Sequence, residues 1–356
     1  MMQIELKHGA GGAATDDLIG SLFARYFQNE ILGRMEDAAV LPEIQGSPVL
    51  TTDSFVVTPL FFPGGDIGRL AVCGTVNDLA CMGAVPLYLT AGFILEEGLE
   101  LEILEKIVAS MAAAAREAGV AIVAGDTKVI ERRTNSVMLL TPTAANEIAA
   151  ASAKVKDTQA SAGLFINTTG LGVRPVSCRV GASQLVPGDS ILVTGSLGDH
   201  HGTILAARLG LQSDLRSDCA PLQKLVVALL DGGIQVHAVR DMTRGGLATV
   251  VNELAAASRC RIILQEDCLP VHAGVLSLCG LLGLEPYTMG NEGKMLLAVP
   301  AAQAVAALQI LRSQTYGKEA ALVGEVQAGK GVYLETTLGG MRNLPPLRGE
   351  GLPRIC

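Results

Sequence analysis

The chain contains no tryptophan, and aromatic residues make up only 3% of its 356 positions. With a formal net charge of -8, it offers neither the stacking platforms nor the cationic field that nucleic acid requires, so DNA and RNA are not expected partners. Long apolar runs are also missing. Mean hydropathy is +0.40, yet Gly, Pro, Asp, Lys or Arg interrupts each hydrophobic stretch before the roughly 18 residues of a spanning helix. The opening "MMQIELKHGAGG" lacks the basic and apolar regions of a secretory signal, which points to a cytoplasmic protein with no membrane partner. Paired cysteines are absent too. No two of the eight cysteines form C-x-x-C, and the tightest spacings, Cys73 to Cys81 and Cys260 to Cys268, match no zinc pattern. Most are expected to be small buried hydrophobes.

What is present is 49% hydrophobic residues with 17% charged, enough for two ordinary cores. Strand-like runs "PVLTTDSFVV" and "PLYLTAGFIL" flank a helix expected from Ile67 to about Met82. The helix "LEILEKIVASMAAAAREAG" and the strand "VAIVAGDTKV" follow. Near the start, Thr15 or Asp16 is placed to cap a helix with Leu18, Ile19, Leu22, Phe23 and Phe27 on its apolar face. A second alternation of strands and helices begins at "VPGDSILVTGSLGDHHG" and ends near Leu338. The expected fold is α/β, of mixed α+β character, in two domains, residues 1–170 and 171–340. The stretch 341–356, "MRNLPPLRGEGLPRIC", is rich in proline and glycine and reads as a mobile tail. Extended, it reaches roughly 50 Å, and it ends on a thiol, Cys356.

Five aspartates sit at element ends or beside glycine: Asp37, Asp53, Asp78, Asp126 and Asp241. Each alone is also explained as a turn former or helix cap. Asp78 is the most informative, because it falls near the C-terminal end of an apolar helix, where the dipole and burial both disfavour an anion. A hard cation shared with substrate phosphates would resolve that conflict. Glycine loops "HGAGG", "FPGGDIG" and "TRGGL" could present backbone N–H groups to phosphate, but neither the P-loop nor the G-x-G-x-x-G pattern is met. Lys128 and Glu292 remain as groups able to move protons, with surface ion pairs as the plain alternative.

The motifs "HGAGG", "EDAAV", "FFPGGDIGRLAVCGTVNDLACMGAVP", "GDTKV", "GLFINTTGLG", "SDCAPL", "RDMTRGGL", "GNEGK" and the terminal "PRIC" together resemble the HypE family of hydrogenase maturation carbamoyl dehydratases. The resemblance implies an aminoimidazole ribonucleotide synthetase-like fold and the use of ATP and Mg2+. It further implies that a carbamoyltransferase, HypF, loads a carbamoyl group onto Cys356, which ATP-driven dehydration converts to a thiocyanate. The cyanide would pass to the iron of [NiFe]-hydrogenase through a HypC–HypD scaffold complex. By motif, Asp37, Asp78 and Asp241 are implied as magnesium ligands. Gly9, Gly11, Gly12, Asp53, Gly64, Gly65, Asp66, Asn77 and Asp126 are implied as nucleotide contacts, Asp53 and Asp126 serving either metal or nucleotide. Lys128 and Glu292, with Cys356, are implied as catalytic, and a homodimer through the N-terminal sheets is expected. Departures from the family pattern are an insertion at about 134–161, Arg69 in place of the usual Lys, and an additional His201. Selenophosphate synthesis, a related activity, expects a reactive cysteine in the first glycine loop, and "HGAGGAATDD" has none. A purine-pathway ring closure and a non-catalytic adaptor with a docking cysteine stay open as alternatives.

Overall fold

The computed structural model describes residues 2–132 and 163–347. The expected insertion at 134–161 and the thiol-bearing end of the tail, Cys356 included, lie outside the described residues. In chain order, a short helix α1 (Ala13–Leu18) runs through a π-helical turn into α2 (Ala24–Tyr26). Strands β1 (Ser47–Phe55), β2 (Phe61–Phe62) and β3 (Gly65–Asp66) precede α3 (Ile67–Cys81), and β4 (Val85–Glu96), α4 (Leu101–Ala118), β5 (Ala121–Ile130) and β6 (Leu164–Arg174) complete the first domain. Its sheet has the order β1-β6-β4-β5. Because β6 pairs with both β1 and β4, the first domain runs to Arg174, beyond the expected boundary at 170.

The second domain contains β7 (Asp189–Val193), α5 (Asp199–Arg208), α6 (Gln223–Asp231), β8 (Ala238–Asp241), α7 (Gly246–Ser258) and β9 (Arg261–Gln265). These are followed by α8 (Ala273–Leu282), β10 (Met295–Pro300), α9 (Ala304–Ser313), β11 (Ala321–Gln327), β12 (Gly331–Glu335) and β13 (Met341–Asn343). The strands form one sheet ordered β13-β12-β9-β11-β7-β10-β8. The expected tail therefore starts too early. Residues 341–343 pair with β12, and the N–H of Leu344, a buried residue, donates to the Val332 carbonyl. An apolar side chain and an open sheet edge outweigh the prolines that follow.

The joint between the domains is α3. Asp66 caps it, accepting from the N–H groups of Gly68 at 2.8 Å and Arg69 at 3.1 Å, and nearly all its other residues are buried. Glycine at 74 lets the helix lie directly on β1, since a Cβ there would sit 2.8 Å from the Phe55 ring. At its far end, Ala80 and Cys81 enter the core of the second domain with Leu222 and Leu225. One helix thus belongs to both cores. The N-terminal helix begins at Ala13 with Gly12 as its cap residue, earlier than expected, and the Thr15 hydroxyl instead accepts from the Gly11 N–H.

Candidate functional site

The close approach of α3 to β1 sets Asp78 beside Asp53. Asp78 accepts a hydrogen bond from Thr51 at 2.9 Å. The buried end of α3 then meets the end of β8, where Asp241 lies in hydrogen-bonding range of the Cys81 thiol at 4.0 Å. Asp53, Asp78, Asp241 and Glu292 all line one cleft of about 220 Å³, together with Thr52, Ser54, Thr243 and Arg244. Burial first, and the neighbouring Asp78 and Asp53 charges, push the Asp241 carboxyl up to about 7. Burial likewise raises Asp78, with Asp53 adding to the effect and Thr51 opposing it. Burial raises Asp53 as well, against the Ser54 N–H and the Arg244 charge. Crowded carboxylates with unfavourable ionisation are what a divalent cation relieves.

Glu292 is 3% exposed and is fixed by its backbone. Its N–H donates to Asp218 Oδ1 at 3.0 Å, and its carbonyl accepts from Asn77 at 3.4 Å. Asn77 also donates to the Ala220 carbonyl and accepts from the Leu222 N–H. That commits the amide of Asn77, expected on the nucleotide, to holding the Glu292 loop and the 218–222 segment against α3. The same holds for the "FPGGD" loop. Gly64, with φ +96, packs where a Cβ would sit 2.6 Å from the Ser217 carbonyl, while Gly65 lies against Phe62 and the Asp66 carboxylate caps α3. Gly64 thus joins the domains, whereas Gly65 and the Asp66 carboxylate serve the local fold of the first domain.

Within one chain, Asp37 is not brought together with Asp78 and Asp241, contrary to the expected metal set, and Asp53 lines the cleft with them instead. Asp37 and Asp126 instead line a second cavity of about 310 Å³, walled by Phe23, Phe27, Phe93 and Ile122. Lys128 also falls outside the cleft. It is exposed on the edge strand β5 and paired with Asp126 at 2.7 Å, which holds the Asp126 carboxyl below its ordinary value. Gly9 packs on that same strand, a Cβ there falling 2.4 Å from the Val129 nitrogen, whereas Gly11 and Gly12 face open space. The expected residues therefore divide into an interdomain cleft and a cluster at the β5 edge. Thr243 and Arg244, which follow Asp241 in the motif "RDMTRGGL", also line the cleft and carried no expectation from the sequence; the motif itself is the signal that points to them. Among the described residues no helix is long and apolar enough to cross a membrane.

Two families match the chain: AIR synthase related protein, N-terminal domain, over residues 35–146, and AIR synthase related protein, C-terminal domain, over 186–336. The carbamoyl dehydratase HypE of Escherichia coli (strain K12) is 47% identical over 363 residues, covering 100% of both chains. A crystal structure of the hydrogenase maturation protein HypE in complex with ATP superposes with a TM-score of 0.88 at 44% identity, covering 99% of each chain. The chain of a HypE–HypF complex gives a TM-score of 0.75 at 43% identity, covering 94% of this chain and 100% of that one.

Proposed function

The chain belongs to the HypE family of carbamoyl dehydratases, which act in hydrogenase maturation, and from that premise we propose that it dehydrates a carbamoyl group carried on Cys356 to a thiocyanate at the expense of ATP. The observation that carries this reading is the meeting of Asp53, Asp78, Asp241 and Glu292 in one cleft between the domains. Oxygen ligands alone suit Mg2+. Among the described residues no group of three His, Cys, Asp or Glu side chains is arranged to hold a metal ion by itself, so substrate phosphates and water would have to supply part of its shell. When bound, Mg2+ would neutralise phosphate charge during transfer. Asp53, Asp78 and Asp241 would hold it. Glu292 would take the proton from the carbamoyl nitrogen, its loop being held by hydrogen bonds from both sides.

The β5 cluster enters through a second copy of the chain. Among the described residues the outer face of the first sheet is uncovered and partly apolar, with Leu50 71%, Ile94 45% and Ile130 39% exposed. β1 and β5 lie at its opposite edges. A two-fold axis parallel to the strands would lay the β1 edge of one copy over the β5 edge of the other. Lys128, Asp126, Asp37 and the glycine loop of Gly9, Gly11 and Gly12 would then face the partner's cleft, where Lys128 can polarise the carbamoyl oxygen. A HypF-type carbamoyltransferase would load the thiol, and a HypC–HypD-type scaffold would receive the cyanide.

The test is mass spectrometry of the Cys356 peptide from protein incubated with a carbamoyl donor system, ATP and Mg2+. A carbamoyl adduct that loses the mass of one water only when ATP is present is expected, with ADP released in step and no adduct in Cys356→Ala. ATP consumption with no change at Cys356 would reject this reading in favour of another transferase activity on the same fold.

A further inference from the structure

Four carboxylates line the interdomain cleft, and one guanidinium stands among them. Arg244 is exposed at the cleft, and among the described residues no hydrogen bond or ion pair engages its side chain. Its charge is nevertheless felt by both Asp53 and Asp78. A guanidinium with free donors in a cleft it shares with half-buried aspartates is placed for an incoming anion.

The backbone that carries Arg244 is rigidly mounted. The Met242 N–H donates to the Lys294 carbonyl at 3.1 Å, and the Met242 carbonyl accepts from the Asn291 N–H at 2.9 Å and from the Asn291 amide at 3.1 Å. Directly after Arg244, Gly245 (φ +76) and Gly246 (φ +57) turn the chain into α7, and the Gly246 N–H closes the turn onto the Thr243 carbonyl at 3.0 Å. Glycine is required there, because a Cβ at 246 would fall 2.4 Å from the Met289 carbonyl. Arg244 and Glu292 are therefore held in one hydrogen-bonded frame and line the same cleft.

We propose that Arg244 is a catalytic residue that binds the phosphoryl group on the carbamoyl oxygen and stabilises its departure as inorganic phosphate. The inference rests on the dehydratase reading above. In the first step the carbamoyl oxygen attacks the terminal phosphorus of the nucleoside triphosphate, the bond to the diphosphate breaks, and nitrogen becomes an imine by giving one proton to Glu292, which releases it to solvent. In the second, the C–O bond breaks with its electron pair leaving on the phosphate. Glu292 takes the remaining N–H proton, and the electron pair of that N–H bond forms the third C–N bond. Three aspartates offset more than the charge of the Mg2+ they would hold, so a leaving dianion still needs a cation, and Arg244 lines the same cleft. The parallel N–H donors of an arginine meet two phosphate oxygens at once, which a lysine cannot do.

The test uses the full chain with Arg244→Gln and Arg244→Lys, both changes at an exposed side chain. Inorganic phosphate is titrated calorimetrically into protein holding ADP and Mg2+, and conversion of the carbamoylated Cys356 is followed in a single turnover. In Arg244→Gln, phosphate affinity is expected to fall at least about 10-fold and conversion about 10²-fold, with ATP affinity changed by no more than about 3-fold. Arg244→Lys should recover part of both losses. Wild-type phosphate affinity in the Gln variant would overturn the proposal. So would a loss of ATP affinity with unchanged conversion at saturation, which would make Arg244 a clamp on the nucleotide. The phosphate titration needs no carbamoyl group, so it still decides the role of Arg244 if the dehydratase reading itself fails.

Discussion

His201 carries an imidazole into a place where it resists protonation. The residue is 4% exposed, its Nδ1 accepts from the Gly290 N–H at 3.3 Å, and Nε2 has no hydrogen-bond partner among the described residues. Burial, with the charges of His200 and Arg208, lowers its pKa from 6.5 to about 4. Between those two values the unfolded chain takes up a proton that the native state refuses. Stability is therefore complete above pH 6.5 and is lost as pH falls towards 4, by at most about 3 kcal/mol. His201→Gln should flatten this loss, so that melting temperatures measured from pH 7 down to pH 4 decline less steeply than in the wild type. Parallel declines in the two proteins would show that other groups control acid stability.

At the scale of elements, the loop from Gly290 to Lys294 depends on a contact that admits no side chain. A Cβ at Gly293 would lie 1.7 Å from the Asp218 carbonyl, on the same segment whose side chain holds the Glu292 N–H. That segment is anchored in turn by Arg69, which donates to the Cys219 carbonyl at 2.9 Å and pairs with Glu117 at 2.7 Å, and Glu117 also accepts from Tyr316. Gly293→Ala must push the loop off its support. Catalysis is sensitive to displacements of about 1 Å, so turnover is expected to drop about 10²-fold. Nucleotide affinity should be largely retained, because the aspartates are carried by other elements. Single-turnover kinetics and calorimetry on the same preparation check this, and unchanged turnover would mean that the position of Glu292 is immaterial.

For the molecule as a whole, the proposed pairing of two chains is what unites the cleft with the β5 cluster. Ile94→Lys puts a charge in the middle of the uncovered sheet face, where its partner surface would have to desolvate it. It points away from the core of its own domain and should leave the fold intact. Light scattering should report half the wild-type mass, circular dichroism an unchanged fold, and the turnover assay a loss of activity. A fully active monomer would reject the shared site.

The sequence by itself determined the elements and their class. Expectations for the helix from Ile67 and for the strands around Asp53 and Asp126 agree with α3, β1 and β5 to within a few residues, since apolar periodicity and turn chemistry act between near neighbours. Asp78 was readable as an unusual carboxylate for the same local reason, its place near the end of an apolar helix. Tertiary structure alone decided which carboxylates meet. Asp53 joins Asp78 because Gly74 lets α3 touch β1, and Asp241 joins them across a separation of 160 residues, the span of its contact with Cys81. Asp37 and Lys128 share the family motifs yet lie elsewhere in the chain's own fold, while Asn77 and Gly64 turn out to hold the domains together. Spacing along a chain carries no information about which surfaces two cores will press together, and the cleft exists only where they do.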